Sequence, residues 1–322
     1  MSNFFVAIID NRYTSYYEEE KVLSKAGVTI KGFVIKNGQS FPEQAFLADA
    51  LLINLFPVSS GIIKGLKKCK IISRYGVGFD NVDIEAATKA GIWVTNVPDY
   101  CVEEASDHAV ALLLNCARRS TFVNNRIRQG AWNIQNEVTL HRIEGKCLGL
   151  IGFGKIGQAV CRKMKSFMLK HVFVYDPYID RKKVINSGAI PVTKEELLTR
   201  SDFISVHVPL TEQTRGFLGR EDFLKMKNSA IIINTSRGSV IEQGSLIRAL
   251  EDKIISSAGL DVFEEEPILK DNPILRLDNV ILTSHMAYYS EESLSELKTK
   301  AAANVMFVLQ GKRPIYPVNN LS

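Results

Sequence analysis

The run from Leu148 to Gly157, LGLIGFGKIG, constrains this chain more than any other stretch. Leu148–Ile151 reads as a buried strand that breaks into three glycines and then enters a helix. Gly152 permits the tight turn, Gly154 lets the backbone approach a phosphate, and Gly157 lets the helix lie close to the sheet. The helix N-terminus then offers N–H groups and a partial positive charge to a pyrophosphate. Taken alone, a GxGxxG pattern is a weak sign. Here it follows a strand, opens a helix, and precedes a second strand, His171–Tyr175, that ends in Asp176. That acid lies 19 residues beyond Gly157, where an adenosine ribose needs its acceptor.

The rest of the chain arranges itself around that turn. A length of 322 residues suits two domains. In the first hundred residues, Phe4–Ile9, Ala50–Ile53, Lys70–Ser73 and Trp93–Thr95 read as strands. Glu18–Ala26 and Ile84–Lys89 read as helices. Strands alternating with helices predict a parallel sheet covered on both faces. Glu103–Arg119 is a long helix, with acids in its first turn and arginines in its last, as the helix dipole prefers.

From Lys146 a second series begins, with strands at 148–151, 172–175, 203–206, 230–234, 258–261 and 280–282. A last helix runs from 291 to 309. The expected fold is α/β, with two doubly wound parallel-sheet domains. A dinucleotide-binding domain over 103–290 is inserted into a substrate domain made of 1–102 and 291–322, with the default ligand site in the cleft between them.

Composition excludes several classes. The net charge of +5 suits an anionic cofactor and an anionic substrate. Its densest runs, Arg181-Lys182-Lys183 and Lys67-Lys68, are too short to predict nucleic-acid binding. No apolar stretch approaches the roughly 20 residues that span a bilayer, and the N-terminus lacks a basic leader, so a cytoplasmic location is expected. The five cysteines, Cys69, Cys101, Cys116, Cys147 and Cys161, form no CxxC pair and predict no metal site. Cys101 falls near the expected site, where it reads as packing at a helix start.

In doubly wound sheets, ligands bind outside the carboxyl ends of the strands. Thr235-Ser236-Arg237-Gly238 follows one strand, Glu264-Glu265-Glu266-Pro267 the next, and Thr283-Ser284-His285 the last. Each residue type suits hydride chemistry on a hydroxy acid. An Arg fork holds a carboxylate through two charge-assisted hydrogen bonds. A His of near-neutral pKa takes the hydroxyl proton as hydride leaves. An acid beside it fixes its tautomer. Each also has an ordinary reading, as a salt bridge, a solvated turn or a structural His. By position alone, His108 and His207 compete with His285.

At this point the chain resembles the D-isomer-specific 2-hydroxyacid dehydrogenases. The likeness covers nearly its whole length: GLIGFGKIG with Asp176, HVPLTEQTRG at 207–216, NTSRGSVIEQGSLIRAL at 234–250, GLDVFEEEP at 259–267, NVILTSH at 279–285 and RYGVGFDNVD at 74–83. The resemblance implies that Arg237 binds the substrate carboxylate and carbonyl oxygen, and that Glu266 partners the acid/base His285. It implies that Tyr75-Gly76-Val77-Gly78 offers backbone N–H groups to the carboxylate. Gly152, Gly154, Lys155, Ile156 and Gly157 would hold the pyrophosphate of NAD, and Asp176 its ribose. His207, Pro209, Thr214, Thr235, Ser236, Arg237, Asp261 and His285 would line the rest of the cofactor site. A carboxylate at Asp176 repels a 2′-phosphate, which favours NAD over NADP. Arg181 is the nearest cation after it.

Three departures from the family pattern narrow the reading. Phosphoglycerate-type members carry an Arg after the strand matching Ala50–Ile53, where this chain has Asn54. The regulatory domain that many of those enzymes append is not expected here. Ala109 stands where members often have Thr. VPDYCVEEASDHAVALLL at 97–114 and HMAYYSEES at 285–293 look like bacterial members of the branch that includes the C-terminal-binding-protein corepressors. In that branch an aromatic, here Tyr288, shapes the substrate pocket. The expected activity is therefore an NAD-dependent dehydrogenase of D-2-hydroxy acids, with no metal, acting as a homodimer. The alternatives are D-3-phosphoglycerate dehydrogenase, glyoxylate/hydroxypyruvate reductase, and an NAD(H)-sensing binding protein.

Overall fold

Two parallel sheets organise the chain, and each belongs to its own unit: residues 1–101 with 290–322, and residues 102–289. The computed structural model describes residues 4–9, 13, 15–24, 27–35 and 39–321.

The first unit holds β1 (Phe4–Ile9), α1 (Tyr17–Leu23), β2 (Val28–Phe33), β3 (Ala50–Ile53), α2 (Ser60–Gly65), β4 (Ile71–Arg74), α3 (Ile84–Lys89) and β5 (Trp93–Thr95). Its strand order is β2-β1-β3-β4-β5, a flavodoxin-like winding. β3 and β4 are buried at every residue, which explains their unbroken apolar runs. β2 was not anticipated. It is an edge strand in which half-buried and exposed residues alternate over its first four positions, and Lys31 and Gly32 conceal it. The strand expected at 70–73 lies one residue later, with Lys70 exposed and Arg74 buried. The helix expected over 18–26 is α1; Lys25 and Ala26 lie outside the described residues.

The second unit opens with α4 (Val102–Arg118) and α5 (Ser120–Arg128). Arg119, at φ 53°, is left-handed and separates them, so the long helix ends before it. Then follow β6 (Cys147–Ile151), α6 (Lys155–Met164), β7 (His171–Tyr175), α7 (Arg181–Asn186), β8 (Ile190–Pro191), α8 (Lys194–Arg200), β9 (Phe203–Val206), α9 (Arg220–Lys225), β10 (Ile231–Asn234), α10 (Gln243–Glu251), β11 (Ser257–Leu260) and β12 (Val280–Leu282). Their order is β12-β11-β10-β9-β6-β7-β8. The sheet thus has seven strands where six were expected. β8 is two residues long, contains Pro191, and pairs only with β7, so it leaves almost no pattern in sequence.

α4 packs on β10, β11, β12 and α6. Gly259 in β11 makes room for it: a Cβ there would lie 2.9 Å from the Leu112 Cβ. The first turn of α4 is tied to α6 by Lys163, which donates to the Glu103 carbonyl at 2.9 Å and the Ser106 hydroxyl at 2.7 Å.

The chain then returns to the first unit as α11 (Glu291–Leu309), which packs on α1, β3 and β4. Its tail closes the open side of β5. Val318 N–H donates to the Val94 carbonyl at 2.8 Å, and Val94 N–H donates to the Asn319 Oδ1 at 2.8 Å.

Candidate active site

The order of the second sheet reverses at β6, and the crevice outside its carboxyl end is where a dinucleotide binds in such sheets. The three glycines there divide the work. Gly152 has φ +90°, and a Cβ on it would lie 2.6 Å from the His207 carbonyl oxygen. A Cβ on Gly157 would lie 2.5 Å from the Gly152 carbonyl oxygen. Both are therefore demanded by the protein's own backbone. A Cβ on Gly154 would meet nothing within 4 Å among the described residues. That space opens at the start of α6, whose first residues are Lys155 and Ile156 and whose N-terminus carries no side-chain cap. A pyrophosphate fits this cradle.

Asp176 is anchored to the same turn. Its Oδ2 accepts from Phe153 N–H at 2.8 Å and its Oδ1 from Tyr178 N–H at 3.0 Å. Arg181 donates instead to the Pro191 carbonyl at 3.3 Å. At the end of β10, Thr235 Oγ1 is a buried hydroxyl with no hydrogen-bond partner among the described residues, as a site for a polar ligand requires. His207 Nε2 lies 2.9 Å from Ser205 Oγ, and burial pushes its pKa down to about 4, so the ring is neutral near pH 7. The Thr214 hydroxyl donates to the Pro209 carbonyl at 2.6 Å and accepts from Thr211 N–H at 2.7 Å, so it holds its own loop together. The Ser236 hydroxyl donates to Asn234 Oδ1 at 2.8 Å.

Arg237, Glu266 and His285 follow β10, β11 and β12, three neighbours in the sheet. Asn234 Nδ2 pins the Arg237 carbonyl at 2.9 Å, and Arg237 Nη1 donates to the Ser236 carbonyl at 2.8 Å. A Cβ on Gly238 would run into the Phe263 carbonyl, so the Arg237 loop lies directly on the loop that carries Glu266. Glu266 Oε1 accepts from Phe263 N–H at 3.0 Å, and Oε2 lies 2.6 Å from His285 Nδ1. With Nδ1 engaged by the carboxylate, Nε2 is left as the nitrogen that exchanges a proton. The two side chains are 27% and 20% exposed, which keeps them within reach of a ligand.

His285 is thus distinguished from the other histidines at this edge. His207 has a hydroxyl partner, and His108 Nε2 lies 2.9 Å from Thr283 Oγ1. Asp261 is fully buried, and its carboxylate accepts from the Thr283 hydroxyl and from Met286 and Ala287 N–H, so it serves the segment around His285. Asn234 and Thr283 lie inside the family-like motifs, but nothing in the sequence assigns either a role. The Tyr288 ring makes an edge contact with Tyr289, with centroids 6.5 Å apart.

In the first unit one expectation fails. Tyr75 N–H donates to the Ile53 carbonyl at 2.7 Å, and its hydroxyl donates to Glu19 Oε1 at 2.6 Å. The sheet and a buried acid have taken both groups, so Tyr75 offers neither to a carboxylate. Gly76, at φ +132°, sits where any Cβ would collide with the Arg74 guanidinium. The Val77 carbonyl is held by Asn96 at 2.7 Å, which fixes the approach to Gly78. Asn54 is buried, and its Nδ2 donates to the Tyr13 hydroxyl at 3.3 Å. Cys101 is buried. Among the described residues, no helix is long and apolar enough to cross a membrane.

Comparison with known proteins points to one family. The family model "D-isomer specific 2-hydroxyacid dehydrogenase, NAD binding domain" matches residues 110–287. A glyoxylate reductase of Korarchaeum cryptofilum is 40% identical over 268 residues, which is 82% of this chain and 80% of that protein. A D-3-phosphoglycerate dehydrogenase of Methanocaldococcus jannaschii is 41% identical over 82% of this chain, but over only 50% of its own length. The solved D-lactate dehydrogenase of Aquifex aeolicus, complexed with NAD and lactic acid, superposes with a TM-score of 0.89 at 28% identity, over 98% of this chain and 100% of that one. The chain belongs to the D-isomer specific 2-hydroxyacid dehydrogenase family, NAD-dependent oxidoreductases that act on CH–OH donors.

Proposed function

We propose that Arg237, Glu266 and His285 carry the reaction, and that the substrate is a small unphosphorylated 2-oxo acid or its D-2-hydroxy acid. The observation that carries the reading is the 2.6 Å pair of Glu266 and His285 on the same sheet edge as Arg237. Gly154, the first residues of α6, Asp176 and Thr235 would hold NAD, which when bound supplies or accepts a hydride. Arg237 would grip the carboxylate and polarise the neighbouring carbonyl. His285 Nε2 would give its proton to the carbonyl oxygen during reduction and take it back during oxidation. Glu266 would hold the ring and stabilise the imidazolium form. The backbone N–H groups of Gly76, Val77 and Gly78 are the proposed second hold on the carboxylate, and Tyr288 a wall for the substrate side chain.

Asn54 supports an unphosphorylated substrate. It is buried, neutral and bonded to Tyr13, where a phosphate would call for a cation. Identity to D-3-phosphoglycerate dehydrogenases supports a second reading, in which the substrate carries a phosphate. We also propose a cytoplasmic homodimer. All five cysteines are free and buried, as suits a reducing compartment, and Trp132, 80% exposed, is a surface that a second subunit would cover.

The test is the loss of NADH absorbance with glyoxylate, hydroxypyruvate, phosphohydroxypyruvate, phenylpyruvate and 2-oxoglutarate. Rapid turnover of glyoxylate or hydroxypyruvate is expected. Preference for the phosphorylated acid would replace the first reading with the second. NADH binding without turnover of any acid would leave a cofactor-sensing protein.

A further inference from the structure

We infer that Thr283 and His108 are positioning residues for His285, acting through the buried carboxylate of Asp261. The inference rests on the reading of His285 as the acid/base.

His285 stands at φ +51°, in the left-handed region that residues other than glycine avoid. A side chain held there needs surroundings that over-determine its backbone. Asp261 provides them. Its carbonyl accepts from His285 N–H at 2.7 Å. Its Oδ1 accepts from the Thr283 hydroxyl at 2.6 Å and from Met286 N–H at 2.9 Å. Its Oδ2 accepts from Ala287 N–H at 2.9 Å. One fully buried residue therefore grips the backbone on and after His285, and through Thr283 the side chain before it.

The clamp has a proton order. Because the Thr283 hydroxyl donates to Asp261, its oxygen is free to accept from His108 Nε2, 2.9 Å away. His108 Nε2 also lies 3.5 Å from Asp261 Oδ1. His108 thus orients the threonine hydroxyl toward the carboxylate, and the Asp261 charge is met mainly by peptide N–H groups. These contacts converge on residues 283–287. Loosening them would release the imidazole from Glu266 without touching the glycine cradle that binds the dinucleotide.

The experiment compares Thr283→Val, Thr283→Ser and His108→Ala with the parent enzyme. Thr283→Val is expected to lower kcat by about tenfold or more, with NADH affinity unchanged within about twofold. Thr283→Ser, which keeps the hydroxyl, should recover most of that loss, and His108→Ala should fall between the two. A second readout needs no substrate: the NMR titration of the His285 ring, identified by its absence in His285→Gln. Its midpoint should move in Thr283→Val and return in Thr283→Ser. Thr283→Val with parental kcat and an unmoved His285 titration overturns the clamp. So does a Thr283→Ser variant that recovers neither property. If the parent turns over no acid, the catalytic reading of His285 fails, and the ring titration alone decides whether the clamp exists.

Discussion

In the second unit the strand at the reversal of order, β6, runs into glycine, open space and a helix N-terminus without a side-chain cap. In the first unit the corresponding edge is filled. β3 and β4 run into Asn54 and Tyr75, both buried, with Arg74, Glu19 and Lys298 buried on the same unit. Lys298 donates to the Ser15 carbonyl at 2.6 Å, and Tyr75 to Glu19. The windings are close cousins, yet one edge offers main-chain dipoles and the other interlocked side chains. A dipole cradle can be spoiled for a ligand without harm to the fold. An interlocked edge tolerates only replacements that keep the shape and the hydrogen bonds of its members.

The largest effects should come from the groups that stand outside both designs. Arg237→Ala is expected to lose most activity, through both KM and kcat. His285→Ala should lower kcat by about 10²–10⁴-fold while NADH affinity, followed by fluorescence titration, stays near parental. Near-normal turnover in His285→Ala would remove it as the acid/base.

The glycines test the comparison directly. Gly154→Ala has room within the protein, so its melting temperature should stay within a degree or two of the parent's. Its NADH affinity should fall at least about tenfold, or ~1.4 kcal/mol, because the methyl fills the cradle. Gly152→Ala adds strain at φ +90° and a clash with the His207 carbonyl, so it should lose about 2 kcal/mol or more of stability. Equal thermal losses in both variants would mean that the cradle serves packing alone. Asp176→Ala should weaken NADH by about tenfold and narrow the preference over NADPH, measured by paired titrations.

The smallest effects are in pH dependence, with opposite signs in the two units. The folded-state pKa of His207 is depressed from 6.5 to about 4 by burial. Between those values the unfolded chain binds more protons, so stability falls as pH drops. His207→Gln should flatten that acid limb. Glu19 is raised above 4.5, chiefly by burial, so its contribution is lost as pH rises from 4.5 through the folded pKa. The advantage of Glu19→Gln in melting temperature should therefore grow with pH above 4.5. A Glu19→Gln curve parallel to the parent's would show that the buried acid does not titrate differently on folding.

Much of this was legible in sequence, for physical reasons that differ by region. β6, β9 and β10 are covered on both faces, so their apolar runs announce them, and the glycine spacing locates the cradle. Arg237, Glu266 and His285 could be singled out as candidates because strand ends in such sheets form one edge, and they do follow three neighbouring strands. Edge strands β2 and β8 were hidden, since a half-exposed strand carries polar residues and a two-residue strand carries no period. Tyr75 was misread because sequence cannot say which hydrogen-bond partners a backbone N–H has already found. Thr283 and His108 meet across 175 positions, a separation no local pattern reports.

The tail that closes β5 has a consequence for how the chain is made. Residues 102–289 leave the ribosome as one uninterrupted stretch, and domains generally fold as units. The first unit, begun earlier, must wait with β5 unpaired on its outer side until Val318 and Asn319 have been synthesised. An exposed strand edge during that interval is an invitation to pair with another nascent chain. The half translated first is the half finished last, and it is there that premature termination or a slow ribosome would do harm.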